Sequence, residues 1–186
     1  MTRSELNAIL NRPLDRERTI DETVDGFMKC WRERAFEDAL GFCQRSWIDG
    51  VYNKAIDPPK GSGLKKSPFD QTPLSWLKAA YRYRFLDSWD IQRHELALKH
   101  PDEPPLNPKV IIDVKVRIDF TERTLRKKAV QSKKKNKQRR SPEYIVRNRV
   151  SILAIRCVRE AGVQKLNPAG EWGVNPTSMF REEVLE

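Results

Sequence analysis

Histidine is nearly missing from this 186-residue chain, with two copies, and cysteine occurs three times. Cys30, Cys43 and Cys157 are odd in number and match no metal-ligand or redox spacing. Neither a disulfide framework nor a zinc site is expected on that inventory, and no cofactor is implied. Free thiols fit a reducing cytoplasm, or a nucleus if the host is eukaryotic. Long apolar runs are lacking too. No segment approaches the roughly 18 apolar residues of a membrane helix, and none near the N-terminus has signal-peptide length, so no membrane span is expected. At this length and with 38% hydrophobic residues, one domain over 1–186 with a real core is expected.

Acidic residues are absent from one long stretch. Residues 123–140 hold ten Lys or Arg and no Asp or Glu, in a chain whose formal charge is +10. The remainder therefore nets to zero, and the basicity is a local device aimed at an anionic partner. Candidate phosphate contacts are Arg126, Lys127 and Lys128 on one side and Lys133, Lys134, Lys135, Lys137, Arg139 and Arg140 on the other. Nucleic acid or a ribonucleoprotein is the first partner class; an acidic protein or membrane surface is the second, and a merely solvated loop the third. From 123 to 142 there is no aromatic residue, so this stretch can grip a backbone but offers no base stacking of its own.

The basic connector, 121–142, separates two strands. VIIDVKVRIDF (110–120) alternates without a fault, with Val110, Ile112, Val114, Val116, Ile118 and Phe120 on one face. YIVRNRVSILAIRCV alternates on even positions from Tyr144 to Ile152, then on odd ones at Leu153, Ile155 and Cys157. A β-bulge at 152–153 would cause that switch; burial on both faces would also explain it.

Upstream, Ser4 is placed to cap a short helix through Leu6, Ile9 and Leu10, within an N-terminal extension of 18 residues. Thr19 and Glu22 form a capping box ahead of the stripe Ile20, Val24, Phe27, Met28 and Trp31. A second helix is expected through Phe36, Ala39, Leu40, Cys43 and Trp47, ended by Asp49-Gly50. Residues 57–73 carry four prolines and two glycines and read as a loop. Their GSGLKKS lacks the Gly-Lys-Ser pairing of a phosphate-binding loop. Thr72 caps a third helix with Pro73 at its first position. A less regular strand is expected over 89–98, and a last one from Glu171-Trp172 toward Phe180 after the turn at 167–170.

Helices first, then long strands, with TIDETVDGFMKCWRERAFEDALGF at the start and GEWGVNPTSMF at the end, resembles the nuclear transport factor 2-like superfamily over residues 19–180. The resemblance implies an α+β fold in which N-terminal helices pack on a curved, bulged antiparallel β-sheet, a cystatin-like cone. It also implies a cavity inside the cone and a homodimer through the open sheet face. Its catalytic members place a carboxylate or histidine with tyrosines inside the cone, and no local motif here lets such residues be carried over.

His94, among Asp90, Arg93 and Glu95, and Asn148, on the apolar pattern of the second strand, are the candidate pocket residues. A surface histidine and a satisfied structural amide are the plainer readings of the two. Asp87 and Asp90 are expected on opposite faces of a regular strand, and the five tryptophans read as core or cavity lining. These observations together lead to a non-enzymatic accessory or assembly module whose basic hairpin loop binds RNA or DNA. A small-molecule binder, or an isomerase- or dehydratase-like enzyme working in the cone, is the alternative.

Overall fold

The computed structural model describes residues 2–10, 17–66, 70–125, 143–161, 166–180 and 182–184. Five helices, α1 (Arg3–Leu10), α2 (Ile20–Glu33), α3 (Phe36–Ala39), α4 (Arg45–Tyr52) and α5 (Pro73–Ala80), precede an antiparallel sheet. Its strands are β1 (Arg84–Leu96), β2 (Ile111–Leu125), β3 (Tyr144–Glu160) and β4 (Glu171–Val174), in the order β1-β2-β3-β4. A short β5 (Glu182–Val184) also pairs with β3. The α+β class is as expected. No helix among the described residues is long and apolar enough to cross a membrane.

Local chemistry sets the helix starts. The Thr19 hydroxyl accepts from the Glu22 N–H while the Glu22 carboxylate accepts from the Thr19 N–H, closing the capping box of α2. Thr72 and Ser75 do the same for α5, with Pro73 at its first position. At α1 the cap is Thr2 rather than Ser4, because Thr2 and Glu5 exchange the reciprocal pair of bonds two residues earlier. The stripe of α2 is buried as expected at Val24, Phe27, Met28 and Trp31.

The expected second helix is broken. After α3 and a 3-10 turn over Leu40–Phe42, Cys43 becomes extended and bridges Val174, and the Gln44 N–H donates to the Val174 carbonyl at 2.8 Å. Sheet pairing outbids helix continuation here. The chain then restarts as α4, which runs through Asp49-Gly50. Gln44 supplies no side-chain cap to α4. The buried Glu160 carboxylate does so instead, accepting from the Ser46 N–H at 3.1 Å and from the Ser46 hydroxyl.

Strand limits differ from expectation in two places. β1 starts at Arg84, well before Trp89, and its irregular pattern comes from register shifts at Leu86/Ser88 and Ile91/Arg93. The final strand stops at Val174; Pro176–Phe180 is a 3-10 turn. No bulge exists at 152–153, since β2 and β3 pair without a shift from Ile111↔Val158 to Leu125↔Tyr144. Instead the odd residues Ser151, Leu153, Ile155 and Cys157 face the core throughout, beside Val114, Val116 and Ile118. The even residues Val150, Ile152 and Ala154 half-bury on the other side, so burial on two faces explains the switch. There Arg156 makes a two-pronged pair with Asp113 at 2.9 and 3.0 Å, which raises its already high pKa.

Four of the five tryptophans are buried: Trp31, Trp47, Trp76 and Trp172; Trp89 is half-buried. Cys30, Cys43 and Cys157 are free thiols inside the core. Leu6 of α1 is buried as well, so the first helix packs on the body.

Candidate nucleic-acid interface

The basic segment 126–142, with Arg126, Lys127, Lys128, Lys133, Lys134, Lys135, Lys137, Arg139 and Arg140, lies outside the described residues. Its root is described. β2 ends at Leu125 opposite Tyr144, where β3 begins, and β1 starts only at Arg84, opposite Glu122. The last residues of β2 and the first of β3 therefore run on as a two-stranded stem beyond the third strand.

That stem is anchored from below. The Arg123 N–H donates to the Tyr83 carbonyl at 2.8 Å. Arg34, in the left-handed region at the C-cap of α2 (φ 61), donates from one guanidinium nitrogen to the carbonyls of Tyr81 (2.8 Å) and Arg84 (2.9 Å). Burial pulls the pKa of Arg34 below its ordinary value, yet its ordinary value is so high that the group stays charged. Trp31 donates to the same Arg84 carbonyl. The chain from Tyr81 to Arg84 is thus tied to α2 before it enters the sheet.

The stem is basic and aromatic. Glu122 is engaged by two arginines, Arg149 at 3.0 Å and Arg84 at 3.9 Å. Arg82, Arg123 and Arg147 have no ion-pair partner among the described residues. The Arg123 guanidinium lies 4.4 Å from the Phe85 ring centre and that of Arg82 lies 5.2 Å from Tyr83. Tyr83 and Tyr144 pair with ring centres 6.1 Å apart. Seven large apolar residues are exposed among the described ones, and four of them, Leu125, Tyr144, Ile145 and Val146, sit on this stem. The signal for this aromatic-basic root was in the sequence, as the alternation Tyr81-Arg82-Tyr83-Arg84-Phe85; placing the strand start at Trp89 hid it.

Beside the stem opens a cleft of about 970 Å³, reached by Trp47, Trp76, Arg82, Arg84, Glu122 and Thr177. Both indole N–H groups are satisfied internally, Trp47 by the Thr177 hydroxyl and Trp76 by the Asp57 carbonyl. Residues 57–62 form one wall, with Gly61 at positive φ as the turn requires, and among the described residues no helix lies between this turn and Pro73.

His94 and Asn148 are not brought together. His94 pairs with Val114 on the core face of the sheet and lies 2.6 Å from Asp21, beside an open hollow of about 450 Å³ that Glu17, Asp21 and Trp172 also line. Asn148 is exposed on the opposite face, where its amide oxygen accepts from the Thr121 hydroxyl at 3.2 Å. The same Thr121 hydroxyl is 3.0 Å from Asp87, in the first register shift of β1. That irregularity turns Asp87 to the face of Asp90, which opposes Arg117, so the expected separation of the two acids fails. Among the described residues no group of three or more His, Cys, Asp or Glu is placed to hold a metal ion. Comparison with family models, with curated proteins and with solved structures returned no match.

Proposed function

We propose that this protein is a non-enzymatic accessory or assembly module that grips the backbone of RNA or DNA in the cytoplasm through its basic connector. The observation that carries the reading is the root of that connector. A stretch holding the chain's whole net charge leaves a two-stranded stem whose Arg123 and Arg147, like Arg82 just before β1, are uncommitted to any described carboxylate. Ten cations on one extension release counterions when they meet phosphates, which gives affinity without base choice. Helices followed by an antiparallel sheet with shifts in register also accord with a nuclear transport factor 2-like cone, in which the connector is an added hairpin.

Replacing Lys133, Lys134, Lys135, Lys137, Arg139 and Arg140 with Gln tests the reading. The described core does not include these side chains, so the fold should survive with little loss of stability. Filter binding across a salt series should show the slope of log K against log salt falling by about 4–5 units if all six make contacts. Equal slopes for wild type and variant would remove the connector from the interface.

One observation favours a second reading, a small-molecule binder. The cleft beside the stem is large and joins aromatic walls to Arg84 and Glu122. A thermal-shift screen of small anions, compared between wild type and Arg84→Ala, separates the two readings, since the connector variant would leave such binding intact.

A further inference from the structure

We propose that the stem is a stacking platform that makes this protein a binder of single strands: unpaired bases stack on Tyr144 and Tyr83 while Arg82 and Arg123, which shares the Tyr144 face of the ribbon, hold the adjoining phosphates. The proposal rests on the nucleic-acid reading above and names the substrate within it. A pure backbone grip needs only cations. This root has more than cations. Tyr144 is 41% exposed and Val146 58%, and the Tyr83–Tyr144 pair lies at the base of the most basic stretch of the chain. An exposed aromatic ring costs free energy in water and gains it back against another π-face, and every base carries one.

A duplex hides those base faces inside its stack, so only an unpaired strand can use the rings. A two-stranded ribbon can also enter the major groove of duplex DNA, where it reads base edges through amides and guanidinium groups. Here the exposed stem carries Arg123, Thr124, Arg147 and Asn148 as well, but Leu125, Tyr144, Ile145 and Val146 add apolar and aromatic surface that edge reading does not need. Guanidinium groups flank the rings, with Arg82 at 5.2 Å from Tyr83 and Arg123 at 4.4 Å from Phe85. A phosphate beside a stacked base falls within reach of such neighbours. Charge complementarity and ring exposure thus select the same partner.

Fluorescence anisotropy with oligo(dT) and oligo(U) of about 20 nucleotides, and with a duplex of equal length, tests this in wild type, Tyr144→Ala, Tyr83→Ala and Tyr144→Trp. Single strands should bind more tightly than duplex. Tyr144→Ala should weaken single-strand binding by about tenfold while leaving the salt slope unchanged, the loss of one stacked base. Duplex binding should not change, and Tyr144→Trp should retain or improve single-strand affinity. Tyr144 is exposed, so its variants read the site even if Tyr83→Ala disturbs folding. Unchanged single-strand affinity in Tyr144→Ala, an equal loss on duplex, or tighter duplex binding by wild type would overturn stacking and leave the backbone grip standing. So would self-association that Tyr144→Ala abolishes without loss of single-strand affinity. No binding of either form by wild type at low salt would overturn both readings.

Discussion

Trp31→Ala is the sharpest probe of how the helical layer fixes the stem. Trp31 is 1% exposed, its ring centre is 4.5 Å from that of Tyr81, and its indole N–H donates to the Arg84 carbonyl at 3.2 Å. Truncation leaves that carbonyl satisfied, because Arg34 donates to it as well at 2.9 Å. The loss is therefore one of packing rather than of an orphaned acceptor. Phe27 and Phe36 both lean on Tyr81, at 6.2 and 6.0 Å, so the site cannot close easily around the void. A cost of about 3–5 kcal/mol follows from the range for large aromatic truncations. Trp31→Phe keeps a ring against Tyr81 and should cost only about 1–2 kcal/mol. With a urea slope of about 2–3 kcal/mol per molar, the midpoint for the alanine variant should fall by about 1–2.5 M, followed by far-ultraviolet circular dichroism. An unchanged midpoint would place Trp31 outside the core. A phenylalanine variant as unstable as the alanine one would show that the indole hydrogen bond, not packing, carries the effect.

Other consequences of the structure are as direct. A Cβ at Gly173 would lie 2.6 Å from the Gln44 Cα and 2.7 Å from its nitrogen, backbone that cannot swing aside. Gly173→Ala should cost about 2–4 kcal/mol and lower Tm by roughly 4–15 °C in a thermal melt; a neutral variant would refute the close approach of β4 to residues 43–44. Burial raises the pKa of Cys43 and Cys157 above their ordinary value of 9.0. Their contribution to stability is thus fully present below that value and is lost as pH climbs above it toward the raised folded pKa. Urea midpoints should decline above about pH 9 in wild type and less so in a Cys157→Ala, Cys43→Ala pair; a parallel decline would dismiss the thiols as the cause.

Much of this fold is legible in the sequence. Thr19 with Glu22, and Thr72 with Pro73, name their helix starts because a cap is a contact between residues three apart. The faultless alternation of Val114, Val116, Ile118 and Phe120 names a strand and its buried face for a similar reason: neighbours two apart share a side of the pleat. The local charge excess of 123–140 was likewise plain, since charge needs no fold to be counted.

Tertiary structure decided the rest. The pattern from Phe36 to Trp47 is helical by periodicity, yet Val174, far along the chain, draws Cys43 and Gln44 into sheet pairing and splits it. Which parity of β3 is buried was equally undecided. Apolar residues stand on both faces, and only its register against β2 chooses Leu153 and Ile155 for the core. Asn148 followed its neighbours to the open face for that reason. The shifts in β1 scrambled its alternation and hid its start, and with it the run of Tyr83, Arg84 and Phe85. Tyr83 meets Tyr144 across 61 positions of sequence because β1 and β3 flank β2. Local patterns report contacts made within one turn or one pleat; a site assembled from three strands exists only once the register between them is set.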